Sequence, residues 1–147
     1  MLNKLREPVN GLTHYFAAIL AVVGLATLVV ISRHDWPKQL SFVVYGASLT
    51  LLLLASAAYH LIKGSPQRIQ FLRKLDHTAI YFLIAGTYTP ICFNMFTGFW
   101  RWGLLSIIWA IALAGSGFKI AFIKTPRLLT AGVYVIMGWL AMMGINE

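Results

Sequence analysis

The chain has 147 residues, 59% of them apolar and only 11% charged, against roughly half and about a quarter in an ordinary soluble domain. A formal charge of +8 would suit a nucleic-acid binder in a soluble protein. Here the Lys and Arg residues sit almost entirely between long apolar segments, which argues against a soluble domain and against a basic face for nucleic acid.

About 20 mostly apolar residues are needed to cross the hydrocarbon core as a helix, and five segments reach that length, roughly 12–32, 40–62, 75–95, 102–122 and 128–146. Pro8 and Asn10-Gly11 precede the first segment. It is too long for a signal-peptide core and lacks a small-residue cleavage site, so it reads as a retained helix. Trp36-Pro37 marks the turn into the second segment and Gly64-Ser65-Pro66 the turn out of it. The third contains Gly86 and, late in its course, Pro90, which should kink the helix or end it early. The lone Cys92 in the same segment offers no disulfide or cysteine metal cluster and reads as packing. Phe96, Phe99, Trp100 and Trp102 crowd the next loop, as rings do at a membrane interface. Ala114-Gly115-Ser116-Gly117 in the fourth segment, like Gly86, would let helices approach closely. Thr125-Pro126 leads into the fifth. Loops this short make neighbouring helices antiparallel, so the chain reads as one all-α, polytopic membrane helix bundle spanning 1–147, without a second domain. No internal repeat of the transporter kind is visible.

Loop charge sets the orientation, because cytoplasmic loops carry the excess of Lys and Arg. Lys4, Arg6, Lys63, Arg68, Arg73, Lys74, Lys119, Lys124 and Arg127 fall on one side, and Arg33, Lys38 and Arg101 on the other. The amino terminus is therefore expected in the cytoplasm and, after five crossings, the end of the chain outside.

Ionisable side chains are costly in a bilayer, and those that persist usually mark a functional site. Glu7, Asn10 and His14 lie at the cytoplasmic end of the first helix, Ser56 and His60 in the last two turns of the second, and Asp76 and His77 at the expected start of the third. Ser56 and His60, four apart, share a face. Asp76 and His77, about 100° apart, cannot both point to one site. Each residue also has an ordinary reading: His60, His14 and His77 as interfacial rings, Asp76 as a helix-start carboxylate, Glu7 as a counter-charge to Lys4 and Arg6. Those readings leave unexplained why three helices bring polar groups to one membrane level. Imidazoles and carboxylates at a shielded site suit zinc, but a catalytic zinc wants about three protein ligands, and no H-x-x-x-H or H-E-x-x-H is present to supply a pair.

At these residues the sequence resembles the haemolysin III family, the bacterial relatives of the progestin and adiponectin receptors, in the superfamily that includes alkaline ceramidases. The stretches that carry the resemblance are Glu-Pro-Val-Asn-Gly-Leu-Thr-His (7–14), Ser-Ala-Ala-Tyr-His (56–60) and Leu-Asp-His-Thr-Ala-Ile-Tyr-Phe-Leu-Ile-Ala-Gly-Thr-Tyr-Thr-Pro (75–90). The resemblance implies a seven-helix fold, of which five helices are expected here, in a bacterial inner membrane. It implies zinc held by His60 together with two histidines of an H-x-x-x-H on a seventh helix, with Ser56 and Asp76 holding the zinc-bound water. It also places Glu7, Asn10 and His14 at the site's mouth. The chain ends at Glu147 without that histidine pair, so the zinc site is expected to be incomplete and the chain to be truncated at its carboxyl end. By analogy with the ceramidase branch the implied activity is hydrolysis of a lipid amide, with membrane lipids as partners and the oligomeric state open. The alternatives are a receptor or regulator with structural zinc and, third, a pore or lytic protein. The last is opposed by the thinning of polar residues towards the outer leaflet.

Overall fold

The computed structural model describes residues 5–122 and 127–140, and among them every regular element is helical. Five helices follow in order: α1 (Pro8–Ile31), α2 (Trp36–Leu61), α3 (Pro66–Met95), α4 (Gly98–Ala121) and α5 (Arg127–Trp139). The expected final turns of the fifth helix, to 146, lie outside the described residues, as do Lys4, Lys124 and the Thr125-Pro126 turn.

The helices begin earlier than the apolar segments suggest, because backbone capping, not hydropathy, sets a helix end. Proline stands in the first turn of α1, α2 and α3, where its fixed φ is already helical and its missing N–H costs nothing. Asp35 caps α2 by accepting from Lys38 N at 3.1 Å, and Ser65 caps α3 by accepting from Arg68 N at 3.4 Å. The largest difference is in α3, which starts at Pro66 and not at 75. Its first turns are polar and extend the helix beyond its apolar part. Asp76 and His77 therefore do not open the helix; Asp76 lies ten residues after Pro66, about three turns in.

By length and composition α1, α2 and α4 can each cross a membrane, and residues 130–139 of α5 form a shorter apolar helix. α3 is the longest element at 30 residues, but it carries the most polar groups and buries several of them. Large apolar side chains such as Leu20, Val23, Leu51, Trp102 and Leu113 point outward, while Ser41, Ser48, Ser56, Thr78, Thr89 and Ser116 are buried. A water-soluble bundle would partition the other way; lipid solvates the outward residues and small polar ones let helix backbones approach.

α1 packs on α2, α2 on α3 and α3 on α4, with α5 against α3 and α4. The core lies between α3, α4 and α5, around Tyr81, Ala85, Tyr88, Cys92, Ile108 and Met137. Gly86 shows why the small residues matter, since a Cβ there would overlap the Ser48 side chain of α2. Gly115 lies in the same way against the Tyr81 ring, whereas Gly117 faces open space. α3 continues past Pro90 to Met95. The neighbouring residues tie it to the rest: the Tyr88 hydroxyl donates to Met137 O at 2.5 Å and Gly138 O at 3.1 Å, and Trp109 Nε1 donates to Thr89 Oγ1 at 3.3 Å.

Candidate polar site at the amino-terminal end of the bundle

His60 sits in the last turn of α2, and Glu7 is the residue before α1. Glu7 has a non-helical backbone (φ −138°, ψ 78°) and its side chain does not cap its own helix. It reaches across to α2, where Oε2 lies 2.7 Å from His60 Nδ1. The main chains join at the same place, Glu7 N donating to His60 O at 2.9 Å. Gly11 permits this approach, because a Cβ on it would overlap the Leu61 side chain at the end of α2.

Further groups converge on the pair. Arg6 donates to Glu7 Oε1 from Nη2 at 2.9 Å and from Nε at 3.3 Å, and Asn10 Nδ2 donates to Oε2 at 3.3 Å. The Arg6 guanidinium lies over the Tyr59 ring at 4.2 Å. The His14 ring stacks on His60, with centroids 5.8 Å apart and planes at 13°. The hydrogen bond to His60, and after it the one from Arg6, hold the Glu7 carboxyl below the usual carboxylate range. A carboxylate only accepts, so the proton of this bond sits on His60 Nδ1. In the neutral ring Nε2 is then left as the atom with a free lone pair. This carboxylate–imidazole arrangement is the one that orients histidine metal ligands.

Ser56 is buried one turn before His60 on the same helix. The Asp76 side chain is 13% exposed and its Oδ2 lies 3.5 Å from His77 Nδ1, an ion-pair distance without hydrogen-bond geometry. Tyr134 of α5 donates to His77 O at 2.9 Å. Among the described residues no hydrogen bond or ion pair links Ser56 or Asp76 to the Glu7–His60 pair, and no group of three or more His, Cys, Asp and Glu side chains is arranged to hold a metal. The structure thus brings Glu7, Asn10, His14 and His60 together and leaves Ser56 and Asp76 without a bond to them. Sequence reasoning missed Arg6 and Tyr59 as members of the cluster. Arg6 counts as loop charge when read alone, and only its position beside Glu7 hinted otherwise.

Over residues 2–147 the chain matches the family described as Haemolysin-III related. It is 37% identical over 149 residues to the hemolysin-3 homolog of Bacillus subtilis (strain 168), covering 99% of this chain and 69% of that one. It is 40% identical over 142 residues to hemolysin-3 of Bacillus cereus, covering 95% and 64%. The human monocyte to macrophage differentiation factor is 25% identical over 138 residues, with 88% and 56% covered. The chain thus spans about two thirds of the Bacillus proteins and just over half of the human one. No solved structure matches it.

Proposed function

The chain belongs to the haemolysin-III-related family of integral membrane proteins, and from that premise we propose that its amino-terminal end, placed in the cytoplasm, contributes one ligand to a zinc-dependent centre that hydrolyses a lipid amide. The observation that carries the proposal is the 2.7 Å bond from His60 Nδ1 to the Glu7 carboxylate, which leaves Nε2 as a ligand of fixed tautomer and orientation.

The fit to zinc is partial. One imidazole is prepared, but the described residues hold no set of three ligands, so they do not by themselves form a closed or a catalytic zinc site. The proposal therefore draws its remaining ligands from outside the described residues. Bound zinc would acidify a water and polarise a carbonyl. What this chain's residues contribute is the orientation of His60 by Glu7, the charge balance of Glu7 by Arg6, and, from Asp76 or Ser56, a proton acceptor or a hydrogen-bonding group. The net reaction adds water across the amide C–N bond, giving a carboxylic acid and an amine.

A second reading, a receptor or regulator in which zinc is structural, is favoured by one feature. The same pair already fastens α1 to α2 through main chain and side chain.

The test is elemental analysis of the protein purified from its complete reading frame, beside His60→Ala, with release of fatty acid from a lipid amide followed in parallel with Asp76→Asn. Near-stoichiometric zinc that disappears in His60→Ala, with turnover abolished in Asp76→Asn, is expected. Zinc without turnover would favour the structural reading. Zinc retained by His60→Ala, or absent from the native protein, would sink both.

A further inference from the structure

The same end of the bundle holds a second polar feature, which is built from other helices. A cleft of about 270 Å³ lies between α3, α4 and α5, and its wall carries Arg73, Lys74 and Lys119 together with His77, Thr130 and Tyr134. Among the described residues no carboxylate lines it and none forms an ion pair with any of the three cations, and the Asp76 carboxylate lies 3.5 Å from Nδ1 of the lining His77. Lys74 Nζ donates to Ile120 O at 2.6 Å and Lys119 Nζ to Thr130 Oγ1 at 3.3 Å, which orients both ammonium groups and leaves each with further N–H donors. His77 Nδ1 is buried without a hydrogen-bond partner. Ile80 and Phe122 give the cleft an apolar side.

Three like charges on one concave, low-dielectric wall repel each other and build a positive potential. An anion that enters relieves that repulsion. Guanidinium and ammonium groups together suit a phosphate, the first through paired N–H bonds and the second as a point charge. The cleft lies where the polar start of α3 meets its apolar part, beside the last turn of α4, and the charged ends of membrane helices are the parts that meet the headgroups. Basic pockets between membrane helices at the cytoplasmic side are where anionic headgroups bind.

We propose that this cleft is a binding site for the phosphate-bearing headgroup of an anionic phospholipid. Arg73 and Lys119 hold the phosphate, Lys74 supplies a third cation, and Ile80 and Phe122 receive the glycerol and the first part of the acyl chains. The site is separate from the Glu7–His60 pair and does not depend on the reading given to that pair.

The experiment is lipid retention by the full chain in detergent micelles doped with phosphatidylglycerol or phosphatidylcholine, counted by native mass spectrometry. Preferential retention of phosphatidylglycerol is expected. Each cation removed should weaken it about fivefold, so Arg73→Gln with Lys119→Gln should lower apparent affinity by about twenty-five-fold, whereas Lys119→Arg alone, which keeps the charge, should retain most of the native affinity. Arg68→Gln, a basic residue of α3 outside the cleft, should leave retention unchanged. If the double variant fails to fold, the single Lys119→Gln decides, with its fivefold loss. Equal retention of the two lipids would overturn the proposal, as would an equal loss in Arg68→Gln, which would mean diffuse surface charge. Complete displacement by millimolar inorganic phosphate would also overturn it, by making the cleft a site for free anions.

Discussion

Glu7 changes meaning once its neighbours are known. As a loop residue next to Arg6 it balances charge, and the 2.9 Å Arg6 bond bears out that reading as far as it goes. Its second oxygen, 2.7 Å from His60, does something that charge balance does not require. The lowered carboxyl pKa has a consequence of definite sign. A carboxylate whose folded pKa lies below its unfolded value adds stability that is complete above the ordinary carboxylate range and is lost as pH falls through the lowered value. The stability difference between the native chain and Glu7→Gln should be present above the ordinary carboxylate range and be lost as pH falls below that range through the lowered value. Thermal unfolding across that range measures it, and a pH-independent difference would show that the carboxylate is not the group involved. If zinc binds through His60, Glu7→Gln should also weaken its affinity by about 10–100-fold without abolishing it, as loss of a partner that orients a metal ligand does. Competition with a zinc-binding dye reads this directly, and unchanged affinity would remove Glu7 from the site.

Among the helices, α3 is the organising element. It packs against α2, α4 and α5, and residues of the Gly86-Thr87-Tyr88-Thr89-Pro90 run that supports the family resemblance contact all three. Gly86 admits Ser48, Tyr88 bonds two carbonyls of α5, and Thr89 accepts from Trp109 of α4. The run is thus a packing motif in this chain, at a distance from the charged end of the helix. Gly86→Ala should cost about 1–3 kcal/mol through overlap with Ser48, and Ser48→Gly in the same chain should recover part of that loss. Tyr88→Phe should cost about 0.5–1.5 kcal/mol by removing its hydroxyl from the α5 carbonyls. Unfolding followed by circular dichroism in detergent checks both. A neutral Gly86→Ala would mean that α2 and α3 are not in contact there.

For the molecule as a whole, the distribution of residues is that of a protein dissolved in lipid, with leucine, valine and tryptophan outside and serine and threonine within. Positive charge gathers at the end where α1 and α3 begin and α2 and α4 finish. On the loop-charge rule we propose that this end faces the cytoplasm. In a Cys92→Ser background, a cysteine introduced by Phe99→Cys should react with a membrane-impermeant maleimide on intact cells. One introduced by Gln67→Cys should react only after lysis. The reverse pattern would invert the bundle and put both polar sites on the outer face.

The class of the protein was legible in the sequence because lipid imposes a rule on composition that needs no tertiary information: about 20 apolar residues for each helical crossing, with charges confined to the ends. The residue types of the site were legible for the same reason, since polar groups in apolar segments stand out. Their pairing was not. Glu7 and His60 are 53 residues apart, and only the close seating of α1 on the end of α2 at Gly11 makes them partners. Nor did hydropathy reveal that α3 begins at Pro66, because capping and proline geometry act on the backbone without regard to the solvent around it. Asp76 and His77 belong, as a result, to the interior of a long helix, with His77 facing the cleft that α3 shares with α4 and α5. That juxtaposition of Arg73, Lys74 and Lys119 from two helices exists only in the packed bundle, where the crossing of helix axes decides which charges meet.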